Sequence, residues 1–389
     1  MARGSVSDRR DRGRGWEARW YTTNADGSRK QHSKSFKTKA EGWRHVNRML
    51  GDADRGERYD PELGKTSFQA VASEWEASLK SPALKPSTVA AYKTILHFHL
   101  IPEFGPMAIN RISAGDIHRF LNNVDASPGT KRNILRVLNQ VMNHAILDDR
   151  ISSNPVAKLR ATVKLPRIPK GDEPAFLTPA QVDQLANEVG LRPTKGQPDK
   201  PPTAHPTYRV LILSAAYTGM RAGELAALRI GDVDLAGRRL RVRESVSDLN
   251  GDLILVKPKN GKVRNVSLPS FLADELQPLV EGRRKDAFVF GTDDQPFRHR
   301  NFYARHFKPA VRRLVARGDW PEEPLSRLRF HDLRHTAASI LIANGEQMKV
   351  VSERLGHSSI AITYDRYGHL YEGHDVDVAD RLDAMYRQA

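Results

Sequence analysis

A segment rich in proline and lysine near the middle of the chain constrains the fold most, because it divides the chain into parts of different character. Residues 154–174, NPVAKLRATVKLPRIPKGDEP, carry no apolar periodicity, which is typical of a linker. A chain of 389 residues also exceeds what one hydrophobic core usually supports. We therefore predict a module at 1–60, a helical domain at 65–160, a linker at 161–173 and a last domain at 174–389.

The charge balance indicates a polyanionic partner. The chain has 62 Lys and Arg against 46 Asp and Glu, a net charge of +16, and nucleic acid is the commonest polyanion that such a chain meets. It has no cysteine, which excludes disulfide scaffolds, thiol catalysis and cysteine-based zinc sites. No stretch has the length of an apolar leader or membrane span, and no glycine-rich phosphate loop is present. These features count against a membrane protein and against an ATP-driven helicase.

Half of the net charge lies in the first 48 residues, which have 13 Lys and Arg and 5 Asp and Glu. Alternating residues indicate two strands around a turn at Asn24–Gly27, namely Trp16, Ala18 and Trp20 on the first and His32, Lys34 and Phe36 on the second. KTKAEGWRHVNRML then has helical spacing, at Ala40, Trp43, Val46 and Met49 or Leu50. A small basic sheet on one helix is typical of a DNA-reading module.

Residues 65–165 are predicted to be all helical. One stripe joins Phe68, Val71, Ala72, Trp75 and Leu79. A second helix begins after Lys85 and should run until Pro102, and Ser113 with Asp116 has the form of a capping box before a third. A fourth, at 129–147, should bury Ile134, Leu138, Val141 and Ala145.

Four basic residues of this region are candidate phosphate contacts. They fall near helix starts or on exposed faces, and they are Lys85, Lys131, Arg132 and Arg136. Each alone is better explained as a solvated side chain than as a contact.

The last domain is predicted to mix helices with short strands. A helix should begin at Thr178–Pro179, with the proline in its first turn. Residues 192–206 read as a long loop. RRLRVRESV, DLILVK and VRNVSLP should pair into one three-stranded sheet, with a hairpin tip at Asn260–Gly261.

Clustered polar groups of the last domain point to chemistry on a phosphodiester. They are Arg221 and Glu224 in TGMRAGEL, His331 and Arg334 in HDLRHTAAS, His357 in LGHSS, the tyrosines Tyr364 and Tyr367, and the lysines Lys257, Lys259 and Lys262. Arginines can clamp the non-bridging oxygens, and a tyrosine can attack phosphorus with a histidine to exchange its proton. A lysine can protonate the leaving 5′ oxygen. The resulting phosphotyrosyl ester keeps the bond energy, so neither ATP nor a metal cofactor is needed.

A metal hydrolase is the competing interpretation, since His331 and His335 are four apart on a helix. A zinc protease motif of this spacing needs Glu after the first histidine, where this chain has Asp332. We therefore predict no metal site.

Together these motifs resemble the tyrosine recombinases, the phage-integrase family. The resemblance is carried by TGMRAGELAALRIGDVD, HDLRHTAAS, LGHSS and ITYDRYGHL, which occur in the family's order across 174–370. Residues 65–165 resemble the family's helical core-binding domain. Residues 1–60 resemble, more weakly, the arm-type-site DNA-binding domain of phage integrases.

The resemblance implies a role for each motif residue. Arg221 and Arg334 would clamp the phosphate, His331 would be the general acid/base, and His357 would donate a hydrogen bond to phosphate. The family's lysine lies between strands, where Lys259 fits best and Lys257 and Lys262 stay open. Glu224 would hold an arginine or pack the fold.

The family's spacing distinguishes the two tyrosines. Its nucleophile lies four positions after a threonine, here Thr363, and two positions before a histidine. Tyr367 fits this spacing and Tyr364 does not, so Tyr367 is the predicted nucleophile and Tyr364 a packing or positioning residue. His335 and His369 are interpreted as structural, with a part in the proton relay as the alternative.

The fold implied is multidomain and mostly α with small β-sheets: an N-terminal module of a three-stranded sheet and a helix, a helical core-binding domain and a mixed α/β catalytic domain. The activity implied is site-specific recombination of phage or mobile-element DNA, through a 3′-phosphotyrosyl intermediate in a homo-tetramer on double-stranded DNA. The place of action would be the cytoplasm of a bacterial host, at the nucleoid. Whether a directionality factor or a host DNA-bending protein takes part stays open.

Two rival functions remain at this point. One is a type IB topoisomerase-like enzyme, which the length and the arm module disfavour. The other is a catalytically silent DNA-binding or architectural protein, which the complete set of reactive residues disfavours. The tail carries Val376, Ala379, Leu382 and Met385 at helical spacing, as a helix that packs either on its own domain or on a neighbouring protomer.

Overall fold

The computed structural model divides into two compact units, Met1–Pro169 and Lys170–Ala389. It describes residues 4–9, 15–23, 29–54, 60, 62–79, 84–163, 175–192, 203–249, 251–258, 261, 263–371 and 374–388. Each unit has its own apolar core, as the change in sequence character between the two halves indicates.

The N-terminal module is an antiparallel sheet packed on one helix. Its strands, in the spatial order in which they pair, are β1 (Ser5–Asp8), β2 (Trp16–Thr23) and β3 (Arg29–Phe36), followed by α1 (Lys39–Asp54). The alternation that predicts β2 and β3 is confirmed, since Ala18 and Trp20 are buried. The predicted turn at 24–27 lies outside the described residues.

The buried face of α1 differs from the predicted one. Trp43 is exposed, whereas Gly42 and Val46 are buried. A Cβ at Gly42 would lie 2.9 Å from a methyl carbon of Val6, so the missing side chain lets the helix approach β1 closely. Apolar spacing alone could not show that a glycine sets the register.

The helical domain follows the predicted pattern with two corrections. Its helices are α2 (Phe68–Ser78), α3 (Pro86–Ile95), α4 (Ile101–Phe104), α5 (Ala114–Asn123), α6 (Pro128–Leu147) and α7 (Pro155–Thr162). Both bonds of the Ser113–Asp116 capping box are present, and the four predicted core residues of α6 are buried.

The second helix does not end at Pro102. A π-helical turn at Leu96–Leu100 joins α3 to α4, and Pro102 falls in the first turn of α4, where a missing N–H costs little. The segment 155–162 is also helical rather than linker. Asn154 caps it by accepting a hydrogen bond from the Val156 N–H, and Val156 and Leu159 are buried. Two buried apolar residues are enough to hold this helix of two turns in place. A segment this short cannot show a helical period in its sequence.

The C-terminal unit consists of helices around small sheets. Its helices are α8 (Pro179–Val189), α9 (Pro206–Thr218), α10 (Ala222–Ala227), α11 (Ser270–Val280), α12 (His299–Phe302), α13 (Lys308–Ala316), α14 (Asp332–Ala343), α15 (Met348–Leu355), α16 (Ile360–Tyr367) and α17 (His374–Gln388). Thr178 caps α8 as predicted, with Pro179 in the first turn. Among the described residues no helix combines the length and the apolar character that crossing a membrane requires.

The strands of this unit pair differently from the prediction. They are β4 (Leu191–Arg192), β5 (Thr203–Ala204), β6 (Val233–Asp234), β7 (Arg239–Val242), β8 (Ser245–Leu249), β9 (Asp252–Val256) and β10 (Arg264–Ser267). β7 pairs with β6 and β10, whereas β9 pairs with β8 in a separate hairpin. The prediction of one sheet from three runs is therefore wrong. Asn260 of the predicted hairpin tip lies outside the described residues, and the Gly261 N–H donates to the Pro258 carbonyl at 2.8 Å, as in a turn. RRLRVRESV contributes to two strands, since β7 ends at Val242 and β8 begins at Ser245.

Candidate active site

A buried carboxylate lies at the centre of the candidate site. Gly219, with φ of 66°, ends α9, and Arg221 then begins α10. Glu224, in the first turn of α10, accepts hydrogen bonds from the Arg221 backbone N–H (2.9 Å) and Nη1 (3.0 Å). Glu224 is only 1% exposed, so its charge needs partners within the protein.

The second partner is Arg264, a residue that the sequence analysis missed. Its Nη1 and Nη2 donate to the two oxygens of Glu224 at 3.0 and 2.7 Å, a bidentate pair. Burial by itself would raise the pKa of Glu224, but the hydrogen bonds and charges of Arg264 and Arg221 lower it below its ordinary value. One signal was available: Arg264 shares a strand face with Val266, which is buried.

Three arginines also hold the C-terminal end of α15. The accepting groups are the carbonyls of residues 354–356, which a helix end leaves without partners. Arg264 Nε donates to the first at 3.3 Å, Arg334 Nη2 to the second at 2.6 Å and Arg221 Nη2 to the third at 3.5 Å. Because His357 comes next in the chain, these bonds fix where its imidazole lies.

Arg334 is buried and lies close to Arg221. Its Nη1 donates to the Gly219 carbonyl at 2.6 Å. Burial, and then the charge of Arg221, lower the pKa of Arg334 to about 9, which leaves it protonated at neutral pH. Two guanidinium groups that are held this close favour an anion between them.

Two of the predicted histidines adjoin this cationic centre. His331 begins α14 with its side chain exposed, and desolvation followed by the charge of Arg334 lowers its pKa. His357 is half-buried, and its Nδ1 lies 2.7 Å from Oγ1 of Thr363. Burial, then Arg334 and Arg221, lower the pKa of His357 to about 3. Both imidazoles are therefore neutral at pH 7.

Tyr367 is completely buried at the end of α16. Its Oη lies 2.7 Å from Nδ1 of His335, so His335 contacts the predicted nucleophile, a contact that fits both the structural interpretation and the proton-relay alternative. Burial raises the pKa of Tyr367, although the charges of Arg334 and Arg366 oppose the rise. Burial, and then His331, lower the pKa of His335 to about 4.

Tyr364 lies on the outside of α16 and is 68% exposed, so it does not pack in the core, and its alternative role as a positioning residue stays a prediction. Its apolar ring has no place in the interior because Thr363 and Tyr367 supply the buried positions of this short helix. His369 is likewise exposed, in a 3₁₀ turn after α16.

The structure brings most of the predicted residues together. The charges of Arg221 and Arg334 act on both His331 and His357, and that of Arg334 acts on Tyr367. Lys259 and Lys262 lie outside the described residues, and Lys257 follows directly after β9.

The four candidate DNA contacts belong to the other unit. Lys85 begins α3, and Lys131, Arg132 and Arg136 lie on α6, where both arginines are exposed.

Comparison with known families agrees with both halves of this architecture. Residues 176–374 match the Phage integrase family, and residues 68–162 match the Phage integrase central domain. The "Putative prophage phiRv2 integrase" of Mycobacterium tuberculosis is 28% identical over 95% of this chain and 92% of its own length. The ICEBs1 integrase of Bacillus subtilis is 26% identical over 82% and 83%.

Solved structures share the fold. The Tn1549 transposon integrase in complex with a circular intermediate DNA superposes with a TM-score of 0.62, at 20% identity over 77% of this chain and 95% of that one. A lambda integrase dimer bound to a COC′ core site gives 0.55, at 16% identity over 93% of each chain. The fold and the family matches, which together span most of both units, place this chain in the phage integrase family of tyrosine recombinases, enzymes that break and rejoin DNA strands.

Proposed function

We propose that this chain integrates and excises phage or mobile-element DNA by forming a 3′-phosphotyrosyl intermediate through Tyr367. The observation that carries the proposal is the convergence of Arg221, Arg334 and His357 beside this tyrosine, since it supplies a clamp for a phosphodiester next to a nucleophile.

The charge of the site suits a transition state that gains negative charge. Arg221, Arg264 and Arg334 bring three positive charges, and Glu224 removes one. Two net positive charges therefore remain for the non-bridging oxygens of a five-coordinate phosphorus. Arg221 and Arg334 are the proposed clamp. His357 would donate from Nε2, because its Nδ1 is engaged by Thr363.

The proposed reaction is an in-line displacement. Tyr367 Oη attacks phosphorus, its proton passes to a histidine, and the 5′ oxygen leaves with a proton from a lysine of the 257–262 segment. We assign the acid/base role to His331 and the leaving-group proton to Lys259. The step needs neither a metal ion nor ATP, since the ester to tyrosine conserves the energy of the phosphodiester.

We further propose that the chain acts on double-stranded DNA as a tetramer, in the cytoplasm of a bacterial host. The lambda integrase has been solved as a tetramer bound to a Holliday junction, with a TM-score of 0.52 to this chain. The N-terminal module would bind accessory sites, and Lys85, Lys131, Arg132 and Arg136 would contact phosphates of the crossover site.

A covalent-trap assay tests the chemistry. The substrate is a labelled, nicked duplex selected from a random-sequence library by binding to the full chain, incubated in EDTA. We expect a DNA-linked protein band from the wild type and from Tyr364→Phe, and none from Tyr367→Phe. Tyr364 is the matched control because it lies on the same helix with its hydroxyl in solvent.

Other outcomes would correct the proposal. A band that is lost only in Tyr364→Phe would make Tyr364 the nucleophile. If the wild type binds the duplex but forms no band, the chain is a silent DNA-binding protein. Relaxation of supercoiled plasmid without strand exchange would instead favour a topoisomerase.

A further inference from the structure

We propose that Arg264 is a positioning residue for strand cleavage: it neutralises Glu224, so that Arg221 keeps its charge for the phosphate, and it holds the turn that carries His357. This inference rests on the proposed function. It concerns a residue outside the predicted motif residues, and it rests on two contacts of one side chain and on the position of that residue in the chain.

The first contact is electrostatic. Both terminal nitrogens of Arg264 bind the carboxylate of Glu224, at 3.0 and 2.7 Å. Without them, Arg221 would be the only arginine bound to a carboxylate that is 1% exposed. The net charge of the centre would fall from two positive charges to one, which weakens its interaction with a developing dianion.

The second contact is mechanical. Arg264 Nε donates to the carbonyl of Arg354, one of the three that end α15, and its side chain packs against Gly356. A Cβ placed on Gly356 would lie 3.0 Å from three atoms of the Arg264 side chain. Arg264 therefore occupies the space under the turn that leads into His357.

The third relation is along the chain. Arg264 is the first residue of β10, two positions after Lys262, so it anchors the C-terminal end of the segment that carries Lys257, Lys259 and Lys262. A single arginine thus ties the lysine-bearing segment, the arginine clamp and the His357 turn to one carboxylate.

The surroundings of Glu224 determine how this can be measured. The charged groups that act on it are Arg221 before α10, Arg264 from β10 and Arg334 from α14. β8 packs on α10 through uncharged atoms of Ser245 and Val246, which contact Gly223. The same side of α10 lines a groove of about 590 Å³, where the charged and titratable groups are Asp248 of β8, His299 and Arg300. Removal of Arg264 should therefore raise the pKa of Glu224, since burial then has fewer opposing charges.

The experiment measures covalent cleavage of the nicked duplex by Arg264→Met, Glu224→Gln, the double variant and Arg284→Met. Arg284 is the matched control because it binds an aspartate, Asp294, in an exposed pair. We expect Arg264→Met to cleave about 100-fold more slowly with unchanged DNA binding, as for loss of one charge-stabilising donor. The double variant should recover at least tenfold, because removing the carboxylate restores the net charge. Arg284→Met should match the wild type.

A pH series separates this role from a purely structural one. As pH falls, Glu224 should become protonated in Arg264→Met before it does so in the wild type, so the ratio of variant to wild-type rate should rise. Arg264→Lys keeps the positive charge but cannot form the bidentate pair with Glu224, and it should cleave faster than Arg264→Met. If the methionine variant unfolds, the comparison of Arg264→Lys with the wild type tests the proposal instead.

Cleavage by Arg264→Met within threefold of the wild type, or a double variant no faster than the single one, would overturn the proposal. A wild type that forms no covalent band would instead refute the proposed function.

Discussion

Tyr367 differs from the other tyrosines of α16 and α17 in exposure. It has no exposed surface, its Oη contacts His335, and burial raises its pKa. Tyr364 and Tyr386 are 68% and 83% exposed. Reagents that nitrate tyrosine attack the exposed phenolate, so nitration should distinguish these tyrosines in the absence of DNA.

Nitration at pH 8 followed by peptide mass spectrometry should therefore modify Tyr364 and Tyr386 at least tenfold faster than Tyr367. His335→Ala should increase the modification of Tyr367, because it opens space beside Oη and removes its hydrogen-bond partner. Equal rates at all three tyrosines in the wild type would contradict the buried position of Tyr367. If His335→Ala left Tyr367 as protected as before, the packing of its ring alone would account for the protection.

The prediction of the site succeeded where residue type and local spacing were sufficient. It failed for contacts between residues that are distant in the sequence. Arg221 and Glu224 are three apart on one helix, so their bond is visible in the sequence. Arg264 is 40 positions from Glu224, and His335 is 32 from Tyr367. No local pattern connects such pairs, so neither contact could be predicted from the sequence.

At the scale of elements, the sequence again predicted correctly those features that depend on hydrogen bonds between residues close in the chain. The capping box at Ser113 and the helix start at Thr178–Pro179 lie where predicted. Strand pairing was wrong because pairing depends on turns and on which face is covered, and a short run of residues does not show either. The length of β7, four residues, was hidden in a run of nine.

The end of α15 provides a prediction at this scale. Gly356→Ala places a methyl group at φ of 65° and 3.0 Å from Arg264, so it should both strain the backbone and displace the arginine. Left-handed backbone alone costs about 1 to 2 kcal/mol for a residue with a side chain. We expect a lower melting temperature and cleavage at least tenfold slower than in the wild type.

Gly282→Ala is the control, because Gly282 has φ of 72° and, among the described residues, no neighbouring atom lies within 4 Å of where its Cβ would be. It should lower stability by a similar amount and leave cleavage unchanged. Equal loss of cleavage in both variants would mean that backbone strain, and not the contact with Arg264, disturbs the site.

At the scale of the whole molecule, three large side chains of α17 lie exposed in the part of the chain that the structure describes. Leu382, Met385 and Tyr386 are 61 to 83% exposed, which favours the predicted alternative of packing on a neighbouring protomer over packing on the same domain. The proposed tetramer offers a second copy of the chain as the partner of these side chains.

Leu382→Asp with Met385→Asp should therefore reduce recombination between two sites and the amount of multi-subunit complex on DNA at least tenfold, as measured by gel mobility. Single-site binding and covalent cleavage should persist. The control replaces the adjacent ion pair, Asp383→Ala with Arg387→Ala, and should behave as the wild type. Recombination at wild-type rate by the aspartate variant would refute the docking of the tail.

The burial of the proposed nucleophile also has a consequence for how the enzyme would search a genome. We expect a chain with a net charge of +16 to bind non-specific DNA often, and so to pass phosphodiesters that differ little from the correct one. Since Tyr367 has no exposed surface in the free chain, we expect those encounters to end without a strand break. On this proposal the enzyme scans DNA without nicking it, and cleavage requires a rearrangement of α16 that only a correctly occupied site would stabilise.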